Sequence, residues 1–137
     1  MENSISVVVK GVISCNNRVL IVQRSTDDEI GPNTWECVGG KIGFGENLKD
    51  ALLREVREEV GLSVTVDRLL YAATFRIGEH QQFVVLVYFC TACDEMVTLS
   101  AEHQNYLWAG REQMIDLLPK NIVDDFDRNS VWEYLFA

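Results

Sequence analysis

Glu55, Glu58 and Glu59 stand three and four residues apart, so on a helix their carboxylates stack along one side. Like charges at this spacing weaken a helix by a few tenths of a kcal/mol per pair. Such an arrangement therefore costs stability unless something binds it. At about 100° per residue, Glu55 and Glu59 lie within roughly 20° of the direction set by Leu48, with Leu52 close by. Lys49, Asp50 and Arg57 are partly on the opposite side. The carboxylates thus continue the apolar stripe instead of opposing it. A carboxylate directed into a core or cleft must be compensated, and a hard divalent cation coordinated by oxygens is a natural partner. Arg54 is a second compensator, through a charge-assisted bond to Glu46 or to a neighbouring carboxylate.

Directly ahead of these residues runs Gly39-Gly40-Lys41-Ile42-Gly43-Phe44-Gly45. Glycines let a backbone turn sharply and come close to a ligand. The run is not a P-loop, because Lys41 is followed by Ile42 instead of a magnesium-binding Ser or Thr, and no G-x-G-x-x-G is present.

Gly40, five residues, Glu46, seven residues, then Arg54-Glu55-Val56-Arg57-Glu58-Glu59-Val60-Gly61-Leu62 resembles the complete signature of the Nudix hydrolases. All seven fixed positions and both aliphatic ones are filled across residues 40–62. At average residue frequencies, a chance match is on the order of one in ten million.

The resemblance implies an α/β fold, an α/β/α sandwich with a central mixed β-sheet. It implies magnesium, or alternatively manganese, held by Glu55, Glu58 and Glu59, with the Gly39 carbonyl joining them. Arg54 and Glu46 are expected to pair. Many relatives add an acidic residue from a later loop, as metal ligand or general base. Glu102, six residues before Trp108, is the candidate, ahead of Glu79 and Glu95. The implied reaction is hydrolysis of a diphosphate linkage in a nucleotide. Cations neutralise the phosphate oxygens and acidify a water, and Glu58 or Glu102 takes the proton. Val38 stands where many relatives carry proline before the glycine pair, a change that removes no ligand.

Substrate markers outside the signature are few. The proline associated with ADP-ribose cleavage is missing near Ile77, and Tyr71 and Tyr88 are misplaced for dinucleoside polyphosphates. Nucleoside triphosphates and nucleotide sugars remain by elimination. Arg24 is a candidate phosphate contact or an ordinary strand-end arginine. Trp35 or Phe75 is a candidate base-stacking partner or a core aromatic. The rival function is a catalytically silent Nudix-like module that senses a nucleotide.

Elements must hold these residues in place. Residues 5–13 and 18–24 are β-branched runs around Cys15-Asn16-Asn17, a predicted hairpin. Residues 27–34 read as a loop and residues 35–38 as a short strand entering the glycine-rich segment. A helix is predicted over residues 47–60, stopped by Gly61. Residues 69–77 and 82–90 read as strands joined by Gly78-Glu79-His80, with shorter strands at 97–99 and 106–109. Residues 111–118 read as a short helix, and 124–136 carry apolar residues at helical intervals. The order predicts a mixed sheet covered by helices on both faces.

The chain has 137 residues, 47% of them hydrophobic and 24% charged, which fits a single domain, residues 1–137. A net charge of −9 from 12 basic and 21 acidic residues disfavours duplex nucleic acid and anionic membranes as partners. A small phosphorylated ligand remains compatible if cations intervene. No targeting segment or membrane span is legible, so a cytoplasmic protein is expected; homodimerisation is left open. Cys15, Cys37, Cys90 and Cys93 are expected reduced. Cys90-Thr-Ala-Cys93 lacks the second pair of a structural zinc site and closes a strand-like run, so it reads as buried or strand-end thiols.

Overall fold

The computed structural model describes residues 2–136. Strands β1 (Ser4–Cys15) and β2 (Arg18–Arg24) form the expected hairpin. Asn16 and Asn17 both adopt positive φ, 51° and 63°, as a two-residue turn matched to the twist of its strands requires. Next come β3 (Trp35–Glu36) and β4 (Val38–Lys41), then α1 (Leu48–Val60). β5 (Val64–Ile77) and β6 (Gln81–Ala92) form the long antiparallel pair, and β7 (His103–Ala109) returns beside β2. The chain closes with α2 (Arg111–Leu117), α3 (Lys120–Arg128) and α4 (Val131–Leu135).

Among the described residues these strands make one seven-stranded sheet in the order β3-β2-β1-β6-β5, with β4 on β1 and β7 on β2. β1 and β6 run parallel and the other pairs antiparallel, so the sheet is mixed. Alternation of side chains sends Val9, Ile13, Leu20 and Val22 to one face against Ala51, Leu52, Val56 and Val60 of α1. Val12, Val19 and Ile21 go to the other face, against Met114, Phe126, Val131 and Trp132 of the C-terminal helices. Burial on both faces explains why β1 reads as an almost unbroken apolar run. The α/β/α expectation holds.

Four local expectations need correction. Gly39, Gly40 and Lys41 belong to strand β4, because Val8–Gly11 of β1 supplies a ladder for them that no local pattern reveals. Residues 97–99 form no strand; instead the Thr98 and Ser100 amides donate to the Val60 and Glu59 carbonyls at the end of α1, at 2.9 and 3.0 Å. The tail is two helices, broken where Ser130 takes φ 55°. β5 begins at Val64, five residues before the expected start, because β6 pairs with it all the way from Ala92.

α1 stops at Gly61 as expected and begins at Leu48, one residue after the expected start. The Asn47 side chain caps it by accepting from the Asp50 amide at 2.9 Å, and Gly61 ends it in the left-handed conformation at φ 71°. All four cysteines are free; Cys93 is exposed and the other three are buried. Burial pushes the Cys37 and Cys90 thiols up to about 12.

Candidate active site

The pairing of β4 with β1 sets Gly39 opposite Lys10 and Gly40 opposite Val9. A Cβ on Gly39 would lie 1.9 Å from the Val9 carbonyl oxygen, and one on Gly40 would lie 2.6 Å from Glu55 Oε2. Two glycines are therefore what allows strand β4 to sit directly against both its partner strand and the helix carboxylates.

On α1 the carboxylates divide as their azimuths require. Glu55 and Glu59, in line with the apolar stripe, are covered: the Glu55 side chain is 14% exposed and Glu59 is 4% exposed. Glu58, turned away from the stripe, has a side chain 60% exposed. Glu59 Oε1 accepts a long hydrogen bond, 3.4 Å, from the Gly39 amide. Burial, reinforced by the neighbouring Glu55 and opposed by the charge of Lys10, raises the Glu59 carboxyl well above the usual carboxylate range.

Arg54 organises the outer edge. Its Nε and Nη2 donate to Glu46 Oε2 and Oε1 at 2.7 and 2.9 Å, so the expected pairing is formed with two-point geometry. Nη1 donates to Glu55 Oε1 at 3.0 Å and Glu58 Oε2 at 3.2 Å, and Nη2 to the Lys41 carbonyl at 3.2 Å. Glu46 also accepts from the Gly43 amide at 2.6 Å. The Arg54 bonds and then the Gly43 bond bring its carboxyl down to about 2. Among the described residues, no three His, Cys, Asp or Glu side chains already converge on one point. Arg54 instead draws Glu55 and Glu58 to its guanidinium.

A cleft of about 880 Å³ opens in front of this cluster. Gly39, Glu55, Glu59, Arg24, Trp35 and Glu102 all line it. The structure therefore brings together residues from β2, β3, β4, α1 and the turn before β7. Glu46, Arg54 and Glu58 lie outside that lining, and so do Glu79 and Glu95. The Glu95 carbonyl is occupied by Trp108 Nε1, which donates at 3.2 Å. Phe75 and Phe83 form one wall, stacked with ring centroids 5.0 Å apart at 15°, and Phe75 is 41% exposed. Arg24 is tied to Asp28 Oδ2 at 2.9 Å and to Glu36 Oε1 at 3.1 Å.

A half-buried polar node in the wall of the cleft, Lys10, Arg24, Glu36 and His103, was not read from the sequence. Glu36 accepts from Lys10 Nζ at 3.1 Å, from Arg24 Nη1 at 3.1 Å and from His103 Nε2 at 2.9 Å. Burial alone would push its carboxyl up. The Lys10 charge, the His103 bond and the Arg24 charge outweigh burial and bring it down to about 2. One signal was available: Lys10 is the only charged residue in the apolar run 5–13, and a lysine there needs a partner. Nothing local pointed to Glu36 or His103 as that partner.

A sequence profile described as the NUDIX domain matches residues 4–129. The nucleoside triphosphatase NudI of an Enterobacter species is 26% identical over 117 residues, covering 78% of this chain and 83% of that protein. A MutT protein from Methanosarcina mazei shares the fold with a TM-score of 0.85 at 26% identity, over 95% of this chain and 96% of that one. A NUDIX-family hydrolase from Clostridium perfringens superposes with a TM-score of 0.76 at 18% identity, over 95% of both chains.

Proposed function

The chain belongs to the Nudix family of pyrophosphohydrolases, and from that premise we propose that it hydrolyses a diphosphate linkage of a nucleoside triphosphate or nucleotide sugar, with residues 1–137 acting as one catalytic domain. The observation that carries this reading is the convergence of Glu55, Glu59, Gly39, Arg24 and Glu102 on one cleft. Relatives named as nucleoside triphosphatases favour the first of the two substrate classes.

The residues fit a hard divalent cation. Glu59 is a buried carboxylate with one long backbone donor, Glu55 lies beside it, and the donors are all oxygen, the set magnesium and manganese prefer. Glu55, Glu58, Glu59 and the Gly39 carbonyl would hold it, after Glu55 and Glu58 turn from Arg54. When bound, such an ion offsets phosphate charge and acidifies water. Arg24, at the cleft wall, contacts a phosphate group. Trp35 and the exposed face of Phe75 offer surfaces for the base. Glu102 takes the proton of the attacking water from the cleft side; Glu58 is the alternative base on the helix. Arg54 and Glu46 orient the helix against the glycine-rich strand. The net charge of −9 then tolerates a polyphosphate only with cations present.

The test is a screen of purified protein against nucleoside triphosphates, nucleotide sugars, ADP-ribose and dinucleoside polyphosphates, reading released phosphate and pyrophosphate. Turnover that needs magnesium and disappears with a chelator and in Glu59→Gln supports the proposal. No turnover on any substrate, with nucleotides still raising the melting temperature, would replace it with the sensing module.

A further inference from the structure

Glu102 emerges from a turn, is exposed, and among the described residues its carboxylate makes no hydrogen bond. Only its backbone is tethered: its amide donates to Ser100 Oγ at 3.3 Å, and its carbonyl accepts from the Ser25 amide at 3.1 Å. The β2–β7 ladder also shifts register here, between Gln23 and Arg24, where Arg24 pairs with His103. A register shift frees the strand end to re-aim its side chains, and the regular ladder no longer fixes their direction. A group that must meet a reacting atom within about half an ångström needs another support.

We propose that His103 is that support: a positioning residue for Glu102, acting through the clamp of its buried imidazole on Glu36. The proposal rests on the role given to Glu102 above. The His103 side chain is only 3% exposed, and its Nε2 lies 2.9 Å from Glu36 Oε2. Glu36 is itself held from two other strands, by Lys10 of β1 and Arg24 of β2, while Lys10 Nζ also donates to the Cys37 carbonyl at 3.2 Å. The imidazole is thus bonded to a fixed point rather than to a mobile side chain. With three donors around it Glu36 is ionised, so Nε2 carries the proton and donates it. Among the described residues His103 Nδ1 is buried and has no partner, so among them the Glu36 bond is the single polar anchor of the ring. The residue next in the chain to Glu102 is thus pinned at the last pair of the ladder, just past its register shift. The same node holds Arg24, so the turn and the phosphate contact are carried by one carboxylate.

The test compares His103→Leu, which keeps bulk and loses the donor, with His103→Gln, whose amide reaches Glu36 as Nε2 does. In magnesium-dependent turnover, His103→Leu is expected to lower kcat roughly ten- to a hundredfold with KM within about threefold, and His103→Gln to restore most of the loss. In a Glu102→Gln background, His103→Leu should have no further effect on kcat, because the group it positions is gone. Additive losses, equal impairment of the leucine and glutamine variants, or a silent Glu102→Gln would each overturn the proposal. His103→Asn, too short to reach Glu36, is the second truncation if the leucine variant does not fold. Hydrogen exchange supplies a readout that needs no substrate: the Ser25 and Glu102 amides should exchange about tenfold faster in His103→Leu than in wild type or His103→Gln. A wild-type chain with no turnover would sink the proposed function and leave the exchange comparison to decide the clamp. Unchanged protection in His103→Leu would reject it.

Discussion

Arg54 grips both oxygens of Glu46, Nε to Oε2 at 2.7 Å and Nη2 to Oε1 at 2.9 Å. That fork ties the residue just after the glycine-rich segment to the middle of α1, and lysine cannot reproduce it. Arg54→Lys should therefore leave the protein folded by circular dichroism and lower turnover roughly tenfold or more. Near-wild-type turnover would show that the fork does not position the helix.

The two adjacent glycines should fail differently. A Cβ at Gly39 meets backbone, the Val9 carbonyl oxygen at 1.9 Å, whereas one at Gly40 meets the flexible end of Glu55 at 2.6 Å. Gly39→Ala is expected to cost several kcal/mol, on the order of 3, in a urea titration. Gly40→Ala should cost less than about 1 kcal/mol while turnover falls at least about tenfold, because the displaced group is a cluster carboxylate. The reverse ranking of stabilities would contradict the packing.

Glu36 should shape the acid limb of stability. Its carboxyl is lowered from 4.5 to about 2, so between those values the unfolded chain binds more protons than the folded one. Its stabilisation is thus present above about pH 4.5 and lost as pH falls toward 2. With the side chain 20% exposed, the contribution is discounted to roughly 2 kcal/mol. Urea midpoints of wild type and Glu36→Gln from pH 7 to pH 2 should converge at the acid end. A constant gap would rule out ionisation of Glu36 as its source.

Glu59 works in the opposite direction. Burial raises its carboxyl, so without metal the folded chain holds a proton that the unfolded chain gives up. Stability is then full below the ordinary carboxylate range and declines as pH rises toward the raised value. Magnesium should flatten that decline, since it stabilises the ionised form. Glu59→Gln should melt higher than wild type without metal at pH 8, yet gain nothing from magnesium. Equal magnesium shifts in the two proteins, measured by differential scanning fluorimetry, would remove Glu59 from the ligand set.

Glu58 and Glu102 can be separated by kinetics. Glu102→Gln is expected to lower kcat roughly a hundredfold. Glu58→Gln should chiefly raise the magnesium concentration required. If Glu102→Gln is silent while Glu58→Gln is dead, the base belongs to the helix. If Glu58→Gln turns over like wild type with the same magnesium requirement, Glu58 has no part in the cluster.

What the sequence determined by itself is local. Spacing along one helix placed Glu55 and Glu59 on its covered side, because helical geometry follows from sequence separation alone, but it also stacked Glu58 with them, and the structure leaves that side chain exposed. Asn16-Asn17 and Gly61 declared a hairpin and the end of α1 through their own backbone preferences. Tertiary structure decided what depends on distant partners. Gly39 to Lys41 became a strand only because β1 lay ready to pair with them. The tail broke at Ser130, although its apolar residues keep a helical interval, so that Phe126 and Trp132 could both pack inward, their rings 5.1 Å apart. The Glu36 node joins residues 26, 12 and 67 positions away. Charges so far apart in the chain leave no periodicity to read; only the closing of the sheet brings Lys10, Arg24 and His103 to one carboxylate.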